Sequence, residues 1–201
     1  MNVYVESNFV LELALLQEQS ASGEAILRLS EERRVHLVVP AYALVEPYGT
    51  LARRHKQREE MKKDFDVELG QLARTATYTD RLSGLRDLTA LLIQSADEAE
   101  RRFEEVRLRL LNTAEVIPLD AAVLAASAAP RREHGLSPQD ALVYAAVLSH
   151  LQRMRPAQSC FLNRDSKDFN DPHIVEQLGR YNCKLFPRFD SGYQFILNAL
   201  R

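Results

Sequence analysis

Five short apolar runs, at residues 2–5, 35–39, 115–118, 159–162 and 183–186, are separated by longer stretches with helical spacing. Runs this brief are too short for helices, and most are rich in Val, Ile, Leu or Phe at consecutive rather than alternating positions. That is the pattern of strands buried on both faces. Strands of this kind alternating with helices specify an α/β fold: a central, mostly parallel five-stranded sheet with helices packed on its faces.

Between these runs, residues 9–17 and 23–34 read as helices, the second ending in Arg33 and Arg34, cations that suit the negative end of a helix dipole. Asp120 is a natural N-cap for an alanine-rich helix expected to end near Pro130. Ser137 followed by Pro138 pairs a cap with a first-turn proline and predicts a helix to about Met154; a final helix is expected over 191–200. The segment from about 47 to 112 breaks the rhythm, because it has no strand candidate and is dense in charge. It reads as two long helices with a bend at Gly70 or Gly84. The second carries a stripe of Leu85, Leu88, Leu92, Ala96, Ala99, Phe103, Val106 and Leu110. Such a stripe is most simply core or a helix-partner surface. With no linker to divide it, the 201-residue chain is expected to be a single domain with a helical insertion at about 47–112.

Twenty-six Lys and Arg against twenty-eight Asp and Glu leave a formal net charge of −2, which excludes a global basic field for nucleic acid and requires any such contact to be local. Cys160 and Cys183 show no metal-ligand spacing and read as buried free thiols of a reducing compartment. The N-terminus has no basic region before its apolar residues, and no apolar stretch approaches the roughly 20 residues that cross a bilayer. A cytoplasmic protein without membrane contact is the expectation.

Four acids stand where apolar elements begin or end: Glu6 in VYVESNF, Glu46 in HLVVPAYALVEP, Asp140 in LSPQDALVYAAV and Asp165 in CFLNRDSKDF. In open parallel sheets ligands bind beyond the carboxyl ends of the strands, where Glu6 and Asp165 should both emerge. Glu46 lies seven residues past the second strand, and Asp140 falls in the first turn of its helix. Taken singly, each acid has an ordinary explanation as a dipole partner, a solvated side chain or turn chemistry. Taken together, carboxylates that converge repel one another unless a cation neutralises them. An all-oxygen set without histidine or thiolate suits Mg2+ or Mn2+, which can activate water for attack on a phosphodiester.

The densest positive stretch is Arg53, Arg54, Lys56, Arg58, Lys62 and Lys63, which either grips phosphate or forms a solvated helix face. Arg164, between Asn163 and Asp165, is the sharper candidate for phosphate contact. His36, His55, His134, His150 and His173 show no HExxH spacing, and neither GxGxxG nor a Walker loop is present, which sets aside histidine-metal, dinucleotide and ATP chemistry.

The ordered set VYVESNFVLEL, VVPAYALVEPYG, VIPLD, LSPQDALVYAAVL and CFLNRDSKDF resembles a PIN domain over roughly residues 1–50 and 113–190. This family includes VapC-type toxins of toxin–antitoxin pairs, metal-dependent ribonucleases. The resemblance implies a three-layer α/β/α fold. It places Glu6, Glu46, Asp140 and Asp165 as the catalytic, metal-holding acids. Ser7 and Asn8 complete the first motif, Asn163 orients the cluster, and Asp168 with Phe169 forms the trailing pair. RNA is then the substrate, with a cognate antitoxin and a homodimer as expected partners. Glu6 replaces the usual aspartate and is one methylene longer, and Pro47 follows Glu46. These two departures motivate an alternative: a catalytically weakened PIN-like module for RNA binding or protein interaction.

Overall fold

In a computed structural model, the described residues are 1–75, 77, 82–164, 169 and 171–201, with side chains of 83–86 left aside. The strands are β1 (Asn2–Val5), β2 (His36–Pro40), β3 (Glu115–Ile117), β4 (Ser159–Leu162) and β5 (Cys183–Phe186), each within a residue of its expected bounds. All four pairings are parallel, in the order β3-β2-β1-β4-β5. The chain therefore builds outward from β1 to one side, then crosses back and builds to the other, leaving a topological switch between β1 and β4. Register pairs Val5 with Leu162, so the next residues, Glu6 and Asn163, leave the sheet side by side.

Alternation along the strands divides the core. Val3, Val5, Leu37, Val39, Cys160 and Leu162 face one layer, made by α1 (Ser7–Leu15), α2 (Ser20–Glu31), the inner parts of α3 (Glu46–Leu72) and α4 (Ser83–Thr113), and α9 (Phe189–Ala199). Tyr4, Val38 and Phe161 face the other, made by α5 (Ala121–Ala126), α6 (Ala128–His134), α7 (Pro138–Met154) and α8 (Pro172–Gly179). This is the three-layer α/β/α architecture. Both cysteines are buried and unpaired. Close packing has a visible requirement at Gly192, where an added methyl would collide with the Leu162 side chain under α9. Among the described residues no helix is long and apolar enough to cross a membrane.

Local signals act where physics places them. Asp120 caps α5 by accepting from the Val123 N–H at 2.9 Å, and Ser137 caps α7 with Pro138 in its first turn. Two expectations change. The alanine-rich helix does not run to Pro130; it stops at Ala126, and Pro130 falls in the first turn of α6, where a missing N–H leaves no bond unmade. Neither Gly70 nor Gly84 marks the bend, since α3 runs through Gly70 to Leu72 and α4 begins at Ser83. The stripe on α4 buries Ala96, Ala99, Phe103, Val106 and Leu110, whereas Leu88, farther out, is 55% exposed.

Candidate functional site

Glu6 is the residue at which β1 gives way to α1. Its extended backbone (φ −128°, ψ −172°) makes it the N-cap, and its Oε2 accepts from the Asn8 N–H at 2.7 Å. Oε1 faces the Arg164 backbone N–H at 3.4 Å, across the switch between β1 and β4. The side chain is nearly sealed, at 5% exposure. Burial is the main cause that pushes its pKa up to about 8; the two backbone donors oppose this, and the charges of Glu46 and Asp140 reinforce it. That Glu46 and Asp140 act on Glu6 places three acids from three distant elements in one electrostatic neighbourhood.

Glu46 is the first residue of α3, and Pro47 behind it occupies the first turn, where proline suits a helix start rather than kinking it. Ser7, buried beside Glu6, donates its hydroxyl to Glu46 Oε2. Asp140 lies in the first turn of α7 and trades hydrogen bonds with the cap. The Ser137 hydroxyl donates to Asp140 Oδ2 at 2.5 Å, and the Asp140 N–H donates to Ser137 Oγ at 3.1 Å. The positive end of α7 further favours the carboxylate. Tyr42, in the 3₁₀ turn Ala41–Leu44 after β2, is the neighbour that sequence reasoning missed. Its hydroxyl pKa is raised, first by burial and then by Glu46 and Asp140, so it borders both acids.

Asn163 is buried at the end of β4, its N–H bonded to the Phe186 carbonyl at 3.0 Å. Asp165 and Asp168 lie outside the described residues. Arg164 turns its guanidinium to the buried carboxylate of Glu12 and lies 3.6 Å from Glu18. The basic stretch is on α3: Lys56 pairs with Glu60 at 3.9 Å, Lys62 with Asp66, and Arg53 donates to Thr50 at 3.3 Å.

The donor chemistry here is oxygen, the acids carry charge of one sign, and burial with two acidic neighbours pushes one carboxyl toward neutrality. That fits a hard divalent ion. The described acids do not complete a coordination shell by themselves: among the described residues no group of three or more His, Cys, Asp or Glu is placed to hold a metal. Glu46 is drawn to Ser7 and Asp140 to Ser137.

A family model described as PIN domain matches residues 3–169, a range that runs across the long helical pair. Among solved structures, the chain is similar to one in the crystal structure of VapBC2 from Rickettsia felis bound to a DNA fragment from their promoter. The likeness is at 10% identity and a TM-score of 0.43, covering 92% of this chain and 98% of that one. A search of curated proteins finds no match.

Proposed function

This chain belongs to the PIN domain family, and from that premise we propose that it is a metal-dependent endoribonuclease hydrolysing RNA phosphodiester bonds. Mg2+ or Mn2+ would be held by Glu6, Glu46, Asp140 and Asp165. The observation that carries the proposal is the buried Glu6 carboxyl at the β1–β4 switch, in the electrostatic neighbourhood of Glu46 and Asp140. A bound dication would supply a more acidic water and offset the charge that builds on phosphorus.

The chain's own residues prepare that chemistry. The Asn8 N–H fixes one oxygen of Glu6 and the Arg164 N–H faces the other. Ser7 aims Glu46, and Ser137 aims Asp140. Glu6, Glu46 and Asp140 each thus have a partner in a helix cap or first turn, namely Asn8, Ser7 and Ser137, which limits their wandering. The basic stretch from Arg53 to Lys63, with Arg54, Lys56 and Arg58, continues along the helix that Glu46 opens. It offers salt-sensitive, sequence-blind attraction for the flanking phosphates. The proposal extends to the toxin of a toxin–antitoxin pair, with a cognate antitoxin and a homodimer as partners. Co-purification with the product of an adjacent small gene and the mass of the isolated protein test these two. The alternative of a weakened binding module gains no support from the family match.

The deciding experiment incubates purified protein with single-stranded and structured RNA under Mn2+, Mg2+ and chelator. Cleavage should require the metal and fall by at least about 100-fold in Asp140→Asn and in Asp165→Asn, the scale on which loss of a charge-stabilising group acts. Cleavage that persists unchanged in both variants overturns the assignment.

A further inference from the structure

Glu12 is a carboxylate in an expensive place. It lies in the last turn of α1, where the helix end is itself negative, and is 1% exposed. Its flanking residues Leu13 and Ala14 are core. A carboxylate so placed must be held by specific polar partners, because an unpaired buried charge is strongly destabilising.

Glu12 has such partners. Oε1 accepts from the Gln19 N–H at 2.5 Å, and Oε2 accepts from the Arg164 guanidinium. Arg164 thus has two attachments. Its backbone N–H faces Glu6 Oε1 at 3.4 Å, and its side chain is anchored on the far end of the same helix that Glu6 caps. The anchor is itself braced: the Gln19 side chain accepts from the Phe189 and Asp190 N–H groups at 2.7 and 3.3 Å, tying the α1–α2 turn to the start of α9. A polar cleft of about 300 Å³, lined by Asn8, Glu12, Gln17 and Arg164, opens beside this pair. Asp165 is the next residue in the chain.

We propose that Glu12 is a positioning residue: by holding the Arg164 side chain it fixes the backbone that leaves β4, and with it the N–H that faces Glu6 and the point from which the chain continues to Asp165. The geometric part stands on the contacts alone, and its consequence for cleavage rests on the nuclease reading above. Arg164 is accordingly an anchor before it is a phosphate contact. A guanidinium committed to a buried carboxylate keeps its orientation, whereas lysine, with a single nitrogen, cannot hold Glu12 while also facing Glu18 as the two guanidinium nitrogens do.

The test uses the full chain, with Glu12→Gln as the isosteric variant and Arg164→Lys as the second. Backbone amide exchange over residues 162–164 is measured without metal, Mn2+ affinity by calorimetry, and kcat and KM on a short RNA. Glu12→Gln should speed exchange in that segment several-fold. It should weaken Mn2+ binding and lower kcat by about 10- to 100-fold, as loss of a partner behind a metal ligand does, with KM for RNA little changed. Arg164→Lys should fall between wild type and Glu12→Gln. Unchanged exchange in both variants overturns the proposal. So does faster exchange with Mn2+ affinity and kcat intact, which would make the pair merely structural. If wild type neither binds Mn2+ nor cleaves RNA, the nuclease reading fails while the exchange result still decides whether Glu12 holds the segment. Should Glu12→Gln not fold, Arg164→Lys decides by the same three readouts.

Discussion

The two ends of the sheet each hold a carboxylate, one-third exposed at the amino end and nearly sealed at the carboxyl end, and they treat it in opposite ways. At the amino end, Glu115 opens β3 between two histidines: its Oε2 is 2.6 Å from His36 Nε2 and its Oε1 is 3.0 Å from His150 Nε2. The His150 ring passes the chain on, with Nδ1 2.9 Å from the Tyr4 hydroxyl. A carboxylate can only accept, so a neutral His150 donates to it from Nε2 and accepts from Tyr4 at Nδ1, which matches every group in the line. The His36 hydrogen bond, aided by His150 and opposed by partial burial, holds the Glu115 carboxyl below its usual range. At the carboxyl end, Glu6 has two backbone donors and two acidic neighbours, and its pKa goes up to about 8. The amino-end carboxyl is thus favoured in its charged form by the chain's own donors, whereas the carboxyl-end one is pushed toward its neutral form. An unbalanced end of this kind points to a ligand, and a balanced one to architecture.

The largest effect expected from breaking this contrast is at Glu6. Glu6→Gln should lower metal-dependent cleavage by about 100-fold or more while raising the stability of the metal-free protein near neutral pH. The folded carboxyl keeps its proton to a higher pH than the unfolded one. Its contribution to stability is therefore full below the unfolded value of 4.5 and is lost as pH rises through about 8. Thermal melts of metal-free protein from pH 5 to pH 8 should show this slope in wild type and not in Glu6→Gln. A flat wild-type profile would remove the basis of the contrast.

Glu115→Gln should do the reverse, lowering stability by about 1–2 kcal/mol in urea titrations with cleavage unchanged, because an amide cannot accept from both histidines as the carboxylate does. The sign of its pH dependence also inverts. A depressed carboxyl contributes stability above its unfolded value of 4.5, lost as pH falls through the lower folded value. The smallest effect is expected for His36→Ala, since the His36 side chain is 51% exposed and exposed pairs contribute about 1 kcal/mol at most. A loss larger than that of Glu115→Gln would mean that the amino-end network is organised around His36 rather than His150.

Much of the fold is written in local sequence, because its signals are local: consecutive Val, Ile and Leu for doubly buried strands, Asp120 and Ser137 at helix starts, a three-and-four stripe for α4. The rule about the carboxyl ends of parallel strands put Glu6 at the edge of the sheet, and Asp140 was legible as a first-turn acid behind Ser137 and Pro138. Other features have no local trace. Arg164 and Glu12 are 152 positions apart, and nothing in SNFVLELAL marks its acid as buried. Tyr42 sits in a turn whose spacing carries no period at all. The helix break before Pro130 misled because proline stops a helix only beyond its first turn, and the sequence does not say which turn it occupies. Periodicity put Leu88 on the same stripe as Phe103 and Leu110 but could not say which of them are covered, and Leu88 is exposed.

The length of α3 has a consequence of scale. Glu46 is its first residue and Lys63 lies within it, so at 1.5 Å of rise per residue these two positions stand about 25 Å apart along one helix. With phosphates spaced at about 3.4 Å in a stacked strand, a ligand touching both ends would be on the order of seven nucleotides long. On the proposed nuclease reading the helix would act as a ruler, and oligomers below that length should lose the contribution of the outer lysines while keeping whatever hold the acidic end provides.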